Sequence, residues 1–152
     1  PDLIIITHSD RYTLSTRKGA IRPRSERKRL WRQALERTLK ALPRSSEVLV
    51  LGDVPHNRLN PQKCLVHNRK DMSRCVTRNP STKQRGIELG LRNTARAQGA
   101  TYRTLFGKIC SYDPCPVVQG DILMWRDRSH VTNRYANQLQ PAMRTIIEGA
   151  IR

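Results

Sequence analysis

Glu47-Val48-Leu49-Val50-Leu51-Gly52-Asp53 is the stretch on which the fold turns. A short continuous run of Val and Leu, closed by Gly-Asp, predicts a strand buried on both faces. Upstream, Leu3-Ile4-Ile5-Ile6-Thr7 has the same character. Between the two runs, Trp31, Ala34, Leu35, Thr38, Leu39 and Leu42 recur at three-to-four spacing. That spacing predicts a helix over about 26–42, with Ser25 as its cap and Pro43 as its stop. Strand, helix and strand in that order make one βαβ unit, so the sheet is expected to be parallel. Downstream, residues 52–80 hold Pro55, Pro61 and Pro80 and predict a long loop, unusual unless functional or stapled. Ile87, Leu91, Ala95 and Gln98 predict a helix over 81–98, weakened by Gly86 and Gly90. Thr101 to Leu105 and Ile122 to Trp125 read as strands, and Cys110 to Cys115 as a tight turn. A last helix is expected over about 132–149, with Tyr135, Leu139, Met143, Ile146, Ile147 and Ala150 on its buried stripe. The expected class is α/β, a three-layer sandwich with a mostly parallel sheet, as one domain over 1–152.

The chain has 152 residues, enough for one core, and a hydrophobic content of 37%. No run approaches the roughly 18 apolar residues of a membrane span. It opens without Met, directly into a strand run, which suggests a segment of a longer protein. Basic residues number 29 against 12 acids, for a net charge of +17. Residues 11–44 carry +10 and residues 52–85 carry +6, so the excess is regional. Such regions attract phosphate or an anionic surface. The seven aromatics form no stacking series among the basic residues, as single-strand binders need, so nucleic acid is not an expected partner. The Arg-rich run over 22–32 reads as a solvated helix face; its functional alternative is contact with anionic lipid head groups or an acidic glycan.

Four cysteines stand at Cys64, Cys75, Cys110 and Cys115. Three pairings are possible, and the sequential one is favoured because each bridge closes a short loop. The first bridge would hold the long loop, and it implies an oxidising compartment. Four free thiols and a zinc site are the alternatives. Neither C-x2-C spacing nor zinc-finger histidine spacing is present, so no metal is expected.

The sharpest chemical signal is Trp125-Arg126-Asp127-Arg128-Ser129-His130-Val131-Thr132, between the last strand and the last helix. An Asp three residues before a His, in a loop, places a carboxylate where it orients the imidazole and fixes its proton. Alone the pattern is weak, since most such pairs are surface hydrogen bonds. Loops beside the strand ends of an α/β sheet are nonetheless where such folds carry their chemistry. Thr132 is a candidate helix cap. His8, His56 and His67 read as solvated loop residues. Trp31 reads as core, and Trp125 as core or a wall of the site. Asp53 ends a strand, where it bonds the next turn or lines a cleft.

Three stretches carry a family resemblance. The first is Val48-Leu-Val-Leu-Gly-Asp-Val-Pro55, followed by a loop with Cys64-Leu65. The second is Cys110-Ser-Tyr-Asp-Pro-Cys-Pro-Val-Val118. The third is Gly120-Asp-Ile-Leu-Met-Trp-Arg-Asp-Arg-Ser-His-Val-Thr-Asn-Arg-Tyr-Ala136. In order and spacing, over about residues 47–140, they resemble SGNH (GDSL-type) hydrolases. The closer likeness is to the SGNH domain fused behind integral-membrane acyltransferases that O-acylate cell-surface glycans. The resemblance implies a flavodoxin-like SGNH fold, N-terminally truncated, and a Ser-His-Asp mechanism without cofactor. Asp127 would orient His130, and His130 would deprotonate a serine whose acyl group passes to a sugar hydroxyl or to water. It also implies an acyl donor, a saccharide acceptor, a covalently linked upstream membrane acyltransferase and an extracytoplasmic, membrane-tethered setting.

Two departures matter. The family's nucleophile lies in a Gly-Asp-Ser turn after its first strand, and this chain has none. Gly52-Asp53 is followed by Val54 and corresponds to a later strand end, while Ser9, Ser15 and Ser129 lack the context. The serine is therefore expected upstream of Pro1, and this segment alone is expected to be inactive. At Thr7-His8-Ser9-Asp10, many such enzymes present a Gly-x-Asn-Asp oxyanion donor; this chain has no Asn there. The alternative function is a non-catalytic basic module that binds an anionic polymer, nucleic acid or acidic glycan.

Overall fold

The computed structural model describes residues 1–9, 14–16, 19–20, 23–77 and 82–151, without the side chains of 16, 24 and 82–85. In chain order the elements are β1 (Leu3–Thr7), β2 (Ser15–Thr16), β3 (Gly19–Ala20), α1 (Arg24–Lys40) and β4 (Glu47–Leu51). Then come α2 (Pro61–His67), a 3-10 turn (Met72–Cys75), α3 (Thr82–Ala97), β5 (Thr101–Arg103) and α4 (Phe106–Ile109). β6 (Val118–Gln119), β7 (Ile122–Leu123), α5 (Asn133–Gln138) and α6 (Gln140–Glu148) complete the series. Two compact units result, one of Pro1–Asp53, Lys83–Arg103 and Ile147–Arg152, the other of Val54–Thr82 and Thr104–Ile146.

The first unit holds the parallel sheet the sequence predicts, in the order β1-β4-β5. β1 pairs β4 from Leu3↔Glu47 to Thr7↔Leu51, and β4 pairs β5 from Leu49↔Thr101 to Leu51↔Arg103. Leu49 and Val50 of β4 have no exposed surface, as expected, whereas the edge strand β1 is not fully buried, with Ile5 44% exposed. Leu35 and Leu39 of α1 and Leu91 and Ala95 of α3 share one core with Val50 and Tyr102. A sheet that grows in one direction through right-handed crossovers puts successive helices on the same face, and this shared core follows. Thr38 and Gln98, expected on the buried stripes, are exposed. α1 begins at Arg24 with Pro23 as its cap residue and no side-chain cap bond, so Ser25 does not cap it. Proline's fixed φ, here −61°, suits that position.

The second unit packs short elements around Trp125, Tyr135, Ile109, Met124 and both Cys75 and Cys115. The long loop is not structureless. Asn60 caps α2 by accepting from the Lys63 N–H at 3.0 Å, with Pro61 in the first turn. A seven-residue helix is too short for periodicity to reveal or for propensity to sustain. Disulfides supply the hold: Cys64–Cys75 ties α2 to the 3-10 turn, and Cys110–Cys115 closes the turn after α4. The sequential pairing is the one formed.

Removing the first bridge by Cys64→Ser with Cys75→Ser is expected to lower stability by about 3 kcal/mol, the loop-closure value for a bridge of this span. Denaturant unfolding checks this; a loss below about 1 kcal/mol would mean that packing alone holds the loop.

β6 and β7 form a hairpin whose two-residue loop starts at Gly120, with φ +59°. The expected strand Ile122 to Trp125 is thus shorter. The last helix is two, α5 and α6, broken at Leu139. Pro141 has no N–H for the carbonyl four residues back, and its ring crowds that carbonyl. Tyr135 remains buried, and Leu139, Met143 and Ile146 pack on the same core. Among the described residues no helix is long and apolar enough to cross a membrane.

Candidate functional site

Residues 125–131 form a closed excursion between β7 and α5. Trp125 and Val131 make an antiparallel bridge, and the Arg126 N–H donates to the His130 carbonyl at 2.9 Å. Trp125 anchors one end, fully buried, with Nε1–H donating to the Pro116 carbonyl at 3.0 Å. It is core rather than an exposed wall. Thr132 anchors the other end as the α5 cap, accepting from the Tyr135 N–H at 3.2 Å and donating to the Leu123 carbonyl at 2.6 Å.

This frame turns Asp127 back onto its own loop. Oδ1 accepts from the backbone N–H of Ser129 at 2.8 Å and of His130 at 2.9 Å. The His130 ring meets the same carboxylate, with Nδ1 at 2.9 Å from Oδ1 and 2.8 Å from Oδ2. Desolvation pushes the Asp127 carboxyl up, but the Ser129 N–H, the His130 side chain and the His130 N–H outweigh it and hold the pKa at about 2. An ionised carboxylate only accepts, so neutral His130 carries its proton on Nδ1. Nε2 is left as the basic nitrogen, on a side chain 62% exposed. The arrangement can take a proton from a hydroxyl brought to Nε2 and stabilise the resulting imidazolium.

Because the Asp127 pKa is depressed from 3.8, its contribution to stability is fully present above pH 3.8 and is lost as pH falls through about 2. Asp127→Asn is expected to remove that part of the acid limb. Unfolding free energies of both proteins between pH 5 and pH 2 check this, and superimposable limbs would count against it.

A second cluster sits at the carboxyl ends of the parallel strands. His8, just after β1, has Nε2 3.2 Å from Oε1 of Glu88 on α3, with side chains only 8% and 14% exposed. Tyr102 donates its hydroxyl to Glu88 Oε2, and the Asp53 N–H reaches Oε1 at 3.4 Å. Gly52 lies against both groups, and a Cβ there would collide with the Tyr102 hydroxyl and the Glu88 carboxyl. His8 is therefore not the solvated residue expected. The sequence signal was Glu88 itself, a polar residue beside Ile87 and Leu91 on the buried face of α3. His67 is exposed on α2, its Nδ1 2.7 Å from the Lys63 carbonyl. Asp10, part of the stretch where an oxyanion donor was sought, lies outside the described residues. Among the described residues no group of three or more His, Cys, Asp or Glu is placed to hold a metal.

The model of the SGNH domain (fused to AT3 domains) matches residues 1–145. The chain belongs to that family. Among solved structures, the SGNH chain is similar to the periplasmic domain of a lipopolysaccharide acetyltransferase from Salmonella serovar Paratyphi A. The likeness has a TM-score of 0.62 at 15% identity and covers 94% of this chain and 57% of that one. At that identity it speaks for the fold. No curated protein matches the sequence. An SGNH domain of this family is linked to acyltransferases, and the two disulfides suit an extracytoplasmic location.

Proposed function

We propose that this SGNH chain is the base-bearing part of an extracytoplasmic domain that transfers or hydrolyses O-acyl groups on cell-envelope saccharides. Asp127 fixes the tautomer of neutral His130, and His130 Nε2 takes the proton of a serine supplied from outside these residues. The serine oxygen attacks the acyl donor, whose leaving group departs with the proton from the imidazolium. The acyl-serine then gives its acyl group to a sugar hydroxyl or water deprotonated by His130, and that proton returns to the serine oxygen. The observation that carries the reading is the Asp127–His130 pair, its tautomer set and its exposed imidazole in a loop braced at both ends. Membership of a family fused to acyltransferase domains supports the acyl chemistry and a membrane-linked partner. The saccharide is proposed from the fold neighbour, a lipopolysaccharide acetyltransferase domain.

The coding sequence upstream of Pro1 tests the reading. A strand-like apolar run ending in Gly-Asp-Ser is expected. A start codon immediately before Pro1 would leave no nucleophile, and the basic anion-binding module would take its place.

A further inference from the structure

The loop that carries Asp127 and His130 is braced from a distant part of the sequence. The Asn57 N–H donates to the Arg128 carbonyl at 2.7 Å, and Arg128 Nε–H donates back to the Asn57 carbonyl at 3.3 Å. Arg128 stands between Asp127 and the Ser129 N–H that Asp127 accepts. Asn57 is 3% exposed and Thr77 is 7% exposed. The Asn57 Oδ1 accepts from the Thr77 hydroxyl at 3.0 Å. Thr77 in turn exchanges two backbone bonds with Cys115, at 3.4 Å and 2.9 Å. The brace thus runs from the disulfide framework through the Thr77 and Asn57 side chains, and ends on the main chain of the site loop through Asn57.

That side chain carries an unfavourable feature. Among the described residues, Asn57 Nδ2 is the wholly buried side-chain polar atom that has no hydrogen-bond partner. Leaving a buried N–H unpaired opposes folding, and an apolar side chain of similar size would avoid it. What Asn supplies is an uncharged acceptor for Thr77; Asp in the same place would bury a charge.

We propose that Asn57 is a positioning residue for the Asp127–His130 pair, holding their loop in its bonded conformation through Arg128. Its functional meaning rests on the acyl-transfer reading, while its geometry does not.

The test is NMR titration of this chain and of its Asn57→Ala and Thr77→Val variants. In the variants the Asp127 carboxyl midpoint is expected to climb from about 2 towards 3.8. Solvent exchange of the Ser129 and His130 amide hydrogens, both bonded to Asp127, is expected to quicken at least about tenfold. A purely structural role would lower global stability without moving either readout in the folded protein. Thr77→Val keeps the side-chain shape and deletes one hydroxyl, so it decides the matter if Asn57→Ala does not fold. A midpoint that stays near 2 in a folded variant would overturn the positioning role and leave the acyl-transfer reading standing. A midpoint that moves, in a protein whose activity ignores His130, would do the reverse.

Discussion

If the proposed serine is present, Asp127→Asn in the full-length protein is expected to lower kcat by about 10⁴-fold, the loss typical of a triad deprived of its carboxylate. The amide would still accept from the Ser129 and His130 N–H groups through its oxygen, so the loop should keep its path. Its NH2 group, however, can donate to Nδ1. That favours the tautomer with the proton on Nε2, which cannot take a proton from serine, and no charge remains to stabilise the imidazolium. Turnover of an activated ester, followed alongside the thermal midpoint, separates the chemistry from the fold. A fall of less than about tenfold with an unchanged midpoint would remove Asp127 from the mechanism.

Trp125→Ala is the substitution expected to harm the fold most, by about 3–5 kcal/mol. Trp125 has no exposed surface, sits in the core of the second unit and holds the Pro116 carbonyl through its indole N–H. Truncation empties a large volume and leaves a buried acceptor unmade. Since whole domains are stable by only about 5–15 kcal/mol, the variant is expected to be at or near the limit of folding. Trp125→Phe keeps most of the apolar volume and loses the donor, so about 1–2 kcal/mol is expected. Denaturant unfolding of both variants checks the pair. An Ala variant less than about 1 kcal/mol weaker would mean that the core collapses around the gap.

β1 and β4 were legible because they are apolar runs separated by one well-marked helix, and both features are local; β5, Thr101–Arg103, is not such a run. β1, β4 and α1 stand within a residue or two of their expected places, apart from the cap at Pro23. The second unit was poorly legible for the opposite reason. α2 and α4 are single turns or little more, stabilised by disulfides and packing rather than by their own periodicity. The break at Leu139 was readable from Pro141 but was overridden by a buried stripe that continues across it. The Asp127–His130 contact was legible because three-residue spacing in a loop makes the bond local. The Asn57–Arg128 and His8–Glu88 contacts were not. Each acts across a long sequence separation, 71 residues from Asn57 to Arg128 and 80 from His8 to Glu88, and only the fold brings them together.

The central claim is that His130 serves as the base for a serine that becomes acylated. Intact-mass measurement of the full-length protein, mixed with an activated acyl ester and quenched at short times, tests it most directly. The account predicts that the wild-type protein gains the mass of one acyl group on a serine, and that His130→Ala, folded and otherwise intact, gains it at least about 10³-fold more slowly. Acylation of His130→Ala at the wild-type rate would contradict it.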